Sequence, residues 1–218
     1  MSTLSTTNIK HPSSGSNNLV LTSGGATQIA GLTYPIADGT SGQYLQTNGS
    51  GGLSWATVSA SKWTIDTTGT SLTGSSVSVT GIPSTAVHVR VIVRDMSLDS
   101  NNENDVRLGT SSGLATTGYS ASGGYWGSGN NLSTFTDKFG SNGLSANTYE
   151  INGVWNFWKM GGGNNWYGHG QFMLSSPTTI YYNMQGFVEL GGALDRVGFL
   201  TRSGNFDAGT VFVSYLVP

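Results

Sequence analysis

Val87, Val89, Val91 and Val93 alternate with His88, Arg90, Ile92 and Arg94. A period of two sends successive side chains to opposite faces of a strand. The run lies within residues 84–108, a stretch without Gly or Pro where a helix is locally allowed. The β-branched alternation decides for a strand. From Trp63 onward the chain reads as strands separated by turns, with 33 glycines in 218 residues, about twice the usual share. Strands are expected at 150–160, 171–174, 178–190, 196–201 and 210–217. In the last, Val211, Val213, Tyr215 and Val217 share one face while Phe212 and Leu216 occupy the other. Two apolar faces place that strand in the middle of a sandwich or at a subunit contact. Seven to nine strands over the ~155 residues after the first 60 predict an antiparallel β-sandwich or jelly roll.

The first 60 residues differ. Only Lys10 and Asp38 carry charge there, and short apolar runs alternate with Gly/Ser/Asn turns: 18–21, 28–30, 43–45 and 53–55. Strands so short cannot bury a core within one chain. They make sense as a stem in which three copies share one axis, or as a flexible linker, which the Gly/Ser content also permits. The domains are therefore 1–60, stem or attachment, and 61–218, sandwich.

Charged residues are only 9% of the chain, against about 25% in ordinary soluble domains. Few charges with much Gly, Ser, Thr and Asn fit either disorder or a turn-rich β protein. Aromatic content of 11%, six Trp and a net charge of −2 decide for the latter, because disordered chains lack aromatics and carry high net charge. Nine Lys and Arg spread along the chain make no basic stripe for nucleic acid. Cysteine is absent, which excludes disulfides, thiolate metal sites and cysteine nucleophiles and suits assembly in a reducing cytoplasm. Met1 to Lys10 lacks the layout of a signal peptide, and no apolar run reaches the ~18 residues of a membrane span.

Candidate chemistry is sparse. Asp95, Asp99, Glu103 and Asp105 cluster, and the alternating oxygens of Asp99, Asn101, Glu103 and Asp105 resemble a calcium loop in spacing. The central Gly and distal Glu of that motif are missing, so the bland reading is a solvated loop between two strands. No spacing singles out a carboxylate pair for glycoside hydrolysis. No nucleophile elbow accompanies His11, His88 or His169, and His88, set in the valine strand, reads as a core or interface residue. Gly123-Gly124 and Gly161-Gly162-Gly163 lack the helix and Lys-Ser/Thr of a phosphate loop. No catalytic residue and no cofactor are implied. The aromatic loops are the best functional signal. Tyr125 and Trp126 sit among Gly and Ser, and Trp166, Tyr167 and His169 follow a Gly/Asn run. Rings can stack on sugars while Asn, His and Tyr bind hydroxyls, and loops at a sandwich end are where sites form. Trp155, Phe157 and Trp158, inside a strand, read instead as core or trimer-axis residues.

Two strings carry a resemblance. One is Val106-Arg107-Leu108-Gly109-Thr110-Ser111-Ser112-Gly113 followed by Thr116-Thr117-Gly118-Tyr119. The other is Gly192-Ala193-Leu194-Asp195-Arg196-Val197, then Asn205-Phe206-Asp207-Ala208-Gly209-Thr210-Val211-Phe212-Val213. Together they resemble the C-terminal domain of many tailed-phage tail fibres, where a "QLGTSSG…TTGY" run precedes "LDRVR(I/L)TT…G…FDAGS(I/V)N(I/V)". Residues 34–56, from Tyr34-Pro35-Ile36-Ala37-Asp38-Gly39-Thr40 to Leu53-Ser54-Trp55-Ala56, resemble a "YP.ADGT.GQVL.TNGSG.LSWA" segment of fibre-like proteins from phages of marine bacteria. Gly198-Phe199-Leu200 departs from the pattern, and the stretch 125–166 is richer in Trp and Gly, as a host-specific region would be. Locally, Asp195 and Arg196 should point to opposite faces of one strand and so not pair. Asp207 should cap a turn through its own backbone, with Gly209 at positive φ.

The expectation is thus an all-β, non-enzymatic protein of a phage tail, a homotrimer. Its N-terminal 60 residues would attach to another virion protein and its C-terminal sandwich would contact a host surface glycan or protein, with no nucleic acid and no membrane insertion. The alternatives are a head-mounted fibre or decoration protein and a small polysaccharide depolymerase.

Overall fold

The computed structural model describes residues 6–58, 61–100, 104–126, 131–140, 149–175 and 180–218, and for Tyr125, Trp126, Asn131 and Ser175 the backbone alone. The chain divides into two compact units, Met1–Ala60 and Ser61–Pro218. Among the described residues every regular element is a strand, and every pairing between named strands is antiparallel.

The first unit contains β1 (Asn8–Ile9), β2 (Leu19–Leu21), β3 (Thr27–Ile29) and β4 (Leu32–Thr33), paired in chain order, and a hairpin of β5 (Gln43–Thr47) and β6 (Leu53–Thr57). β2, β3, β5 and β6 fall on the expected apolar runs, whereas β1 and β4, of two residues each, fall on none of them. The β5–β6 turn is held by Asn48, whose Oδ1 accepts from the backbone N–H of Ser50 at 2.8 Å and of Gly52 at 2.9 Å, an Asx arrangement. Trp55 donates its indole N–H to Ala37 O at 2.8 Å. None of the described residues of this unit is buried; Ile9, Leu21, Ile29, Ile36 and Tyr44 are all exposed.

The second unit opens with β7 (Lys62–Thr64), β8 (Thr70–Ser71) and β9 (Ser76–Thr80), then β10 (His88–Leu98), β11 (Asn104–Thr110) and β12 (Gly113–Leu114). It continues through β13 (Tyr119–Trp126), β14 (Asn131–Phe135), β15 (Phe139–Gly140), β16 (Glu150–Met160), β17 (Asn165–Ser175), β18 (Ile180–Glu189), β19 (Arg196–Thr201) and β20 (Phe206–Val217). A nine-stranded sheet runs β14-β13-β18-β17-β16-β10-β20-β7, with β8 also on β20. A five-stranded sheet runs β12-β11-β19-β9, with β15 also on β11. Fourteen strands among the described residues exceed the expected seven to nine; four of them, β7, β8, β12 and β15, have only two or three residues, which leaves ten longer ones.

The two sheets form a sandwich. Val89, Val91, Val93, Trp155, Phe157 and Val211 from the large sheet are buried with Val106, Leu108, Val197 and Phe199 from the small one. Phe139 of the small sheet bridges the layers, its ring centroid 5.2 Å from Tyr119, 5.5 Å from Trp155 and 5.4 Å from Phe157. The Tyr119 hydroxyl accepts from Leu108 N at 3.0 Å and donates to Leu108 O at 3.3 Å. Burial pushes that phenol well above its ordinary pKa. The inner face is filled by large rings because small residues face them: a Cβ on Gly170 would lie 2.6 Å from Trp155. That is a positional use of glycine inside a strand.

Three local expectations are corrected. Arg196 does bind Asp195, Nε to Oδ2 at 3.0 Å, because Asp195 precedes β19 and is free of its pleat. Asp207 caps no turn: it belongs to β20, and its Oδ1 accepts from the Ser97 hydroxyl across the sheet. Asp105 is not in a solvated loop but is buried, 2.8 Å from the Lys138 ammonium. Gly209 does take a positive φ of 121°. It faces the bulge in β10, where Asp95 has φ 53° and the register shifts between Val93 and Met96.

Candidate binding face

On the large sheet, positions two apart share a face, and the faces of successive strands align by register. His88 of β10 pairs with Leu216 of β20 and Trp158 of β16; Trp158 pairs with Tyr167, Tyr167 with Phe187, and Phe187 with Ser120. Leu216 pairs on its far side with Trp63. Seven strands thus contribute one row, about 29 Å long at ~4.8 Å per strand. The rings touch in sequence: Trp63 to His88 at 4.9 Å, His88 to Trp158 at 4.9 Å, Trp158 to Tyr167 at 5.7 Å, and Tyr167 to Phe187 at 5.2 Å.

One step along the strands lies a second row on the same outer face: Ser214, Arg90, Asn156, His169, Gln185, Ser122 and Thr134. It is polar throughout. Asn156 Oδ1 lies 3.2 Å from His88 Nε2, and Tyr167 Oη donates to Gln185 Oε1 at 3.4 Å, so the rows are laced together. Burial lowers the His88 pKa, with the Arg90 charge acting the same way and the Asn156 contact opposing. Beyond the polar row lie Ile92 and Leu132, then Met173 and Tyr181, all exposed.

Besides a groove of about 510 Å³ lined by Met160, Asn165, Phe187 and Glu189, two grooves open on this face. One of about 540 Å³ is lined by Asn152, Gln171, Met173, Tyr181 and Asn183. The other, about 470 Å³, lies beside Phe187 over Ser120, Ser122, Thr134 and Gln185. Both volumes fall within the ~300–1,000 Å³ of small-ligand sites.

The sequence-derived candidates divide. Tyr167 and His169 lie on this face, but in a strand, not a loop: β17 begins at Asn165, before the expected 171. Trp166 is corrected outright. It is 1% exposed, because its position in β17 has the inward parity of Phe172 and Leu174. Tyr125 and Trp126 end β13 in register with Tyr182 and Tyr181; their side chains lie outside the described residues. Trp155 and Phe157 are core residues as expected, whereas Trp158 is 37% exposed and outward, by parity. His88 is likewise in the outer row and not in the core. Trp63, Phe187, Gln185 and Tyr181 were missed, although the alternation of Tyr181, Asn183, Gln185 and Phe187 with Tyr182, Met184 and Val188 already assigns them two faces.

The calcium-like set does not converge among its described members. Asp99 accepts from Asn205 N at 2.8 Å and Nδ2 at 3.1 Å, hydrogen bonds that lower its pKa. Asp105 is engaged by Lys138; burial raises its carboxyl, and the hydrogen bond and charge of Lys138 oppose that. Asn101 and Glu103 lie outside the described residues. No protein-family model, no curated protein and no solved structure matches this chain.

Proposed function

We propose that the chain is a non-enzymatic structural protein of a bacteriophage particle. In this reading it is a homotrimeric tail fibre, attached to another virion protein through residues 1–60. It contacts the host surface through the outer face of the nine-stranded sheet. One observation carries the reading: among the described residues, every large apolar side chain exposed in a strand of residues 61–218 belongs to that face. Contiguous exposed apolar surface of this kind marks a partner, and its interleaving with amides and hydroxyls suits a surface rich in sugar. The burial of none of the described residues in the first unit supports a shared, intersubunit core there. The fibre-like strings at 34–56, 106–119 and 192–213 support the phage assignment.

Adsorption competition tests this. Purified full-length protein in excess should block attachment of the parent phage to its host cells. The variant Met173→Ser/Tyr181→Ser, altered only at exposed positions of the face, should block less well at equal thermal stability. Lack of competition by the native protein would contradict the reading.

A further inference from the structure

We propose that the groove beside Phe187 is a seat for an uncharged pyranose of a surface glycan. The proposal rests on the host-contact reading above and names the ligand class and the subsite. Ring geometry selects this end of the aromatic row. His88 and Trp158 are stacked with planes 24° apart, and Trp158 and Tyr167 with planes 25° apart. Both faces of Trp158 are therefore covered by neighbouring rings, and it presents an edge outward. A sugar cannot lay its C–H face on it.

Phe187 is different. Tyr167 is its only ring neighbour among the described residues, tilted at 50°, and on the other side the register puts Ser120. A serine cannot cover a phenyl ring, and Phe187 is 48% exposed. The ring lines the groove together with Ser122 and Thr134 of the neighbouring strands and with Gln185, two positions away on its own strand. Ring and neighbours give one flat apolar surface with hydroxyl and amide partners beside it. That matches a pyranose, whose C–H groups form an apolar face and whose hydroxyls ring the edge. Among its described lining residues this groove has no Asp, Glu, Lys, Arg or His, unlike the groove that Phe187 shares with Glu189. A carboxylated or sulfated sugar would find no counter-charge there and would lose hydration without compensation.

The test uses the full-length protein on a panel of immobilised neutral polysaccharides (dextran, mannan, galactan) and acidic ones (polygalacturonate, hyaluronate). The variants Phe187→Ala and Ser120→Trp, which respectively remove the ring and fill the groove, are run beside it, with melting temperature as the folding control. We expect retention on at least one neutral polymer, insensitive to salt. Each variant should weaken it by about threefold to tenfold, the scale of one lost ring contact; Ser120→Trp should leave the melting temperature unchanged, and Phe187→Ala should lower it by no more than the loss of its one ring contact, to Tyr167. Retention on acidic polymers alone, no retention on any polymer, or variant effects below about twofold would overturn the proposal. Host-cell adsorption by the same proteins separates the two levels. If Ser120→Trp abolishes adsorption but no neutral polymer is retained, the face still makes the contact and the sugar assignment falls. If the native protein does not bind cells, the host-contact reading itself falls.

Discussion

The imidazole of His88 and the indole of Trp158 lie face to face on adjacent strands, 4.9 Å apart, and Tyr167 covers the other side of the same indole at 5.7 Å. Trp158 is thus a ring held by its neighbours on the proposed binding face. Trp158→Ala should cost about 1–3 kcal/mol, the sum of two aromatic pairs at roughly 0.5–1.5 each, measured by chemical denaturation. Binding through the groove beside Phe187 should survive. Phe187→Ala, which loses one ring neighbour and not two, should cost only about 0.5–1.5 kcal/mol and should weaken that binding.

Trp166 makes the complementary case. It is buried at the start of β17, and its indole N–H has no partner among the described residues. Trp166→Ala should therefore cost about 3–5 kcal/mol, as large core truncations do. Trp166→Phe should cost much less, because no hydrogen bond is lost with the nitrogen. A Trp166→Ala protein with native stability and impaired binding would show that the ring is a contact.

Lys138 and Asp105 form an ion pair at 2.8 Å with side chains 2% and 8% exposed. Lys138→Met leaves a buried carboxylate without its cation and should cost about 3–5 kcal/mol. Adding Asp105→Leu should restore most of that loss, since an apolar pair of similar volume replaces a buried ion pair at little cost. Equilibrium unfolding of the single and double variants checks both values.

These residues also mark what local sequence could carry. The bounds expected for β16 and β19 coincide with those observed, because apolar alternation and flanking turns are local signals. The start of β17 was hidden by its own composition: Gly168 and Gly170, with the Gly/Asn run before them, read as a loop. In the fold they are inward positions emptied to admit Phe157 and Trp155. Trp166 was assigned to a contact for the same reason. The burial of Asp105 depends on Lys138, 33 residues away and paired only through the β11–β15 register. The aromatic row is less legible still, since it exists only when seven strands align, and no single strand contains more than one of its members.

The first unit bears on assembly. Among its described residues apolar side chains stand exposed and none is buried, so the segment cannot hold its conformation by its own core. Sedimentation of the full chain should give three times the 22.7 kDa of one copy. Removing residues 1–60 should leave a folded sandwich that no longer incorporates into particles. Sedimentation of the full chain as a monomer would contradict the trimer.

A fibre protein that meets the host, as proposed for this chain, would stand at the tip of a tail fibre. The most direct test is electron microscopy of parent phage particles labelled with an antibody raised against residues 61–218. The account predicts label at the distal ends of tail fibres. Label confined to the head, or particles without label, would contradict it.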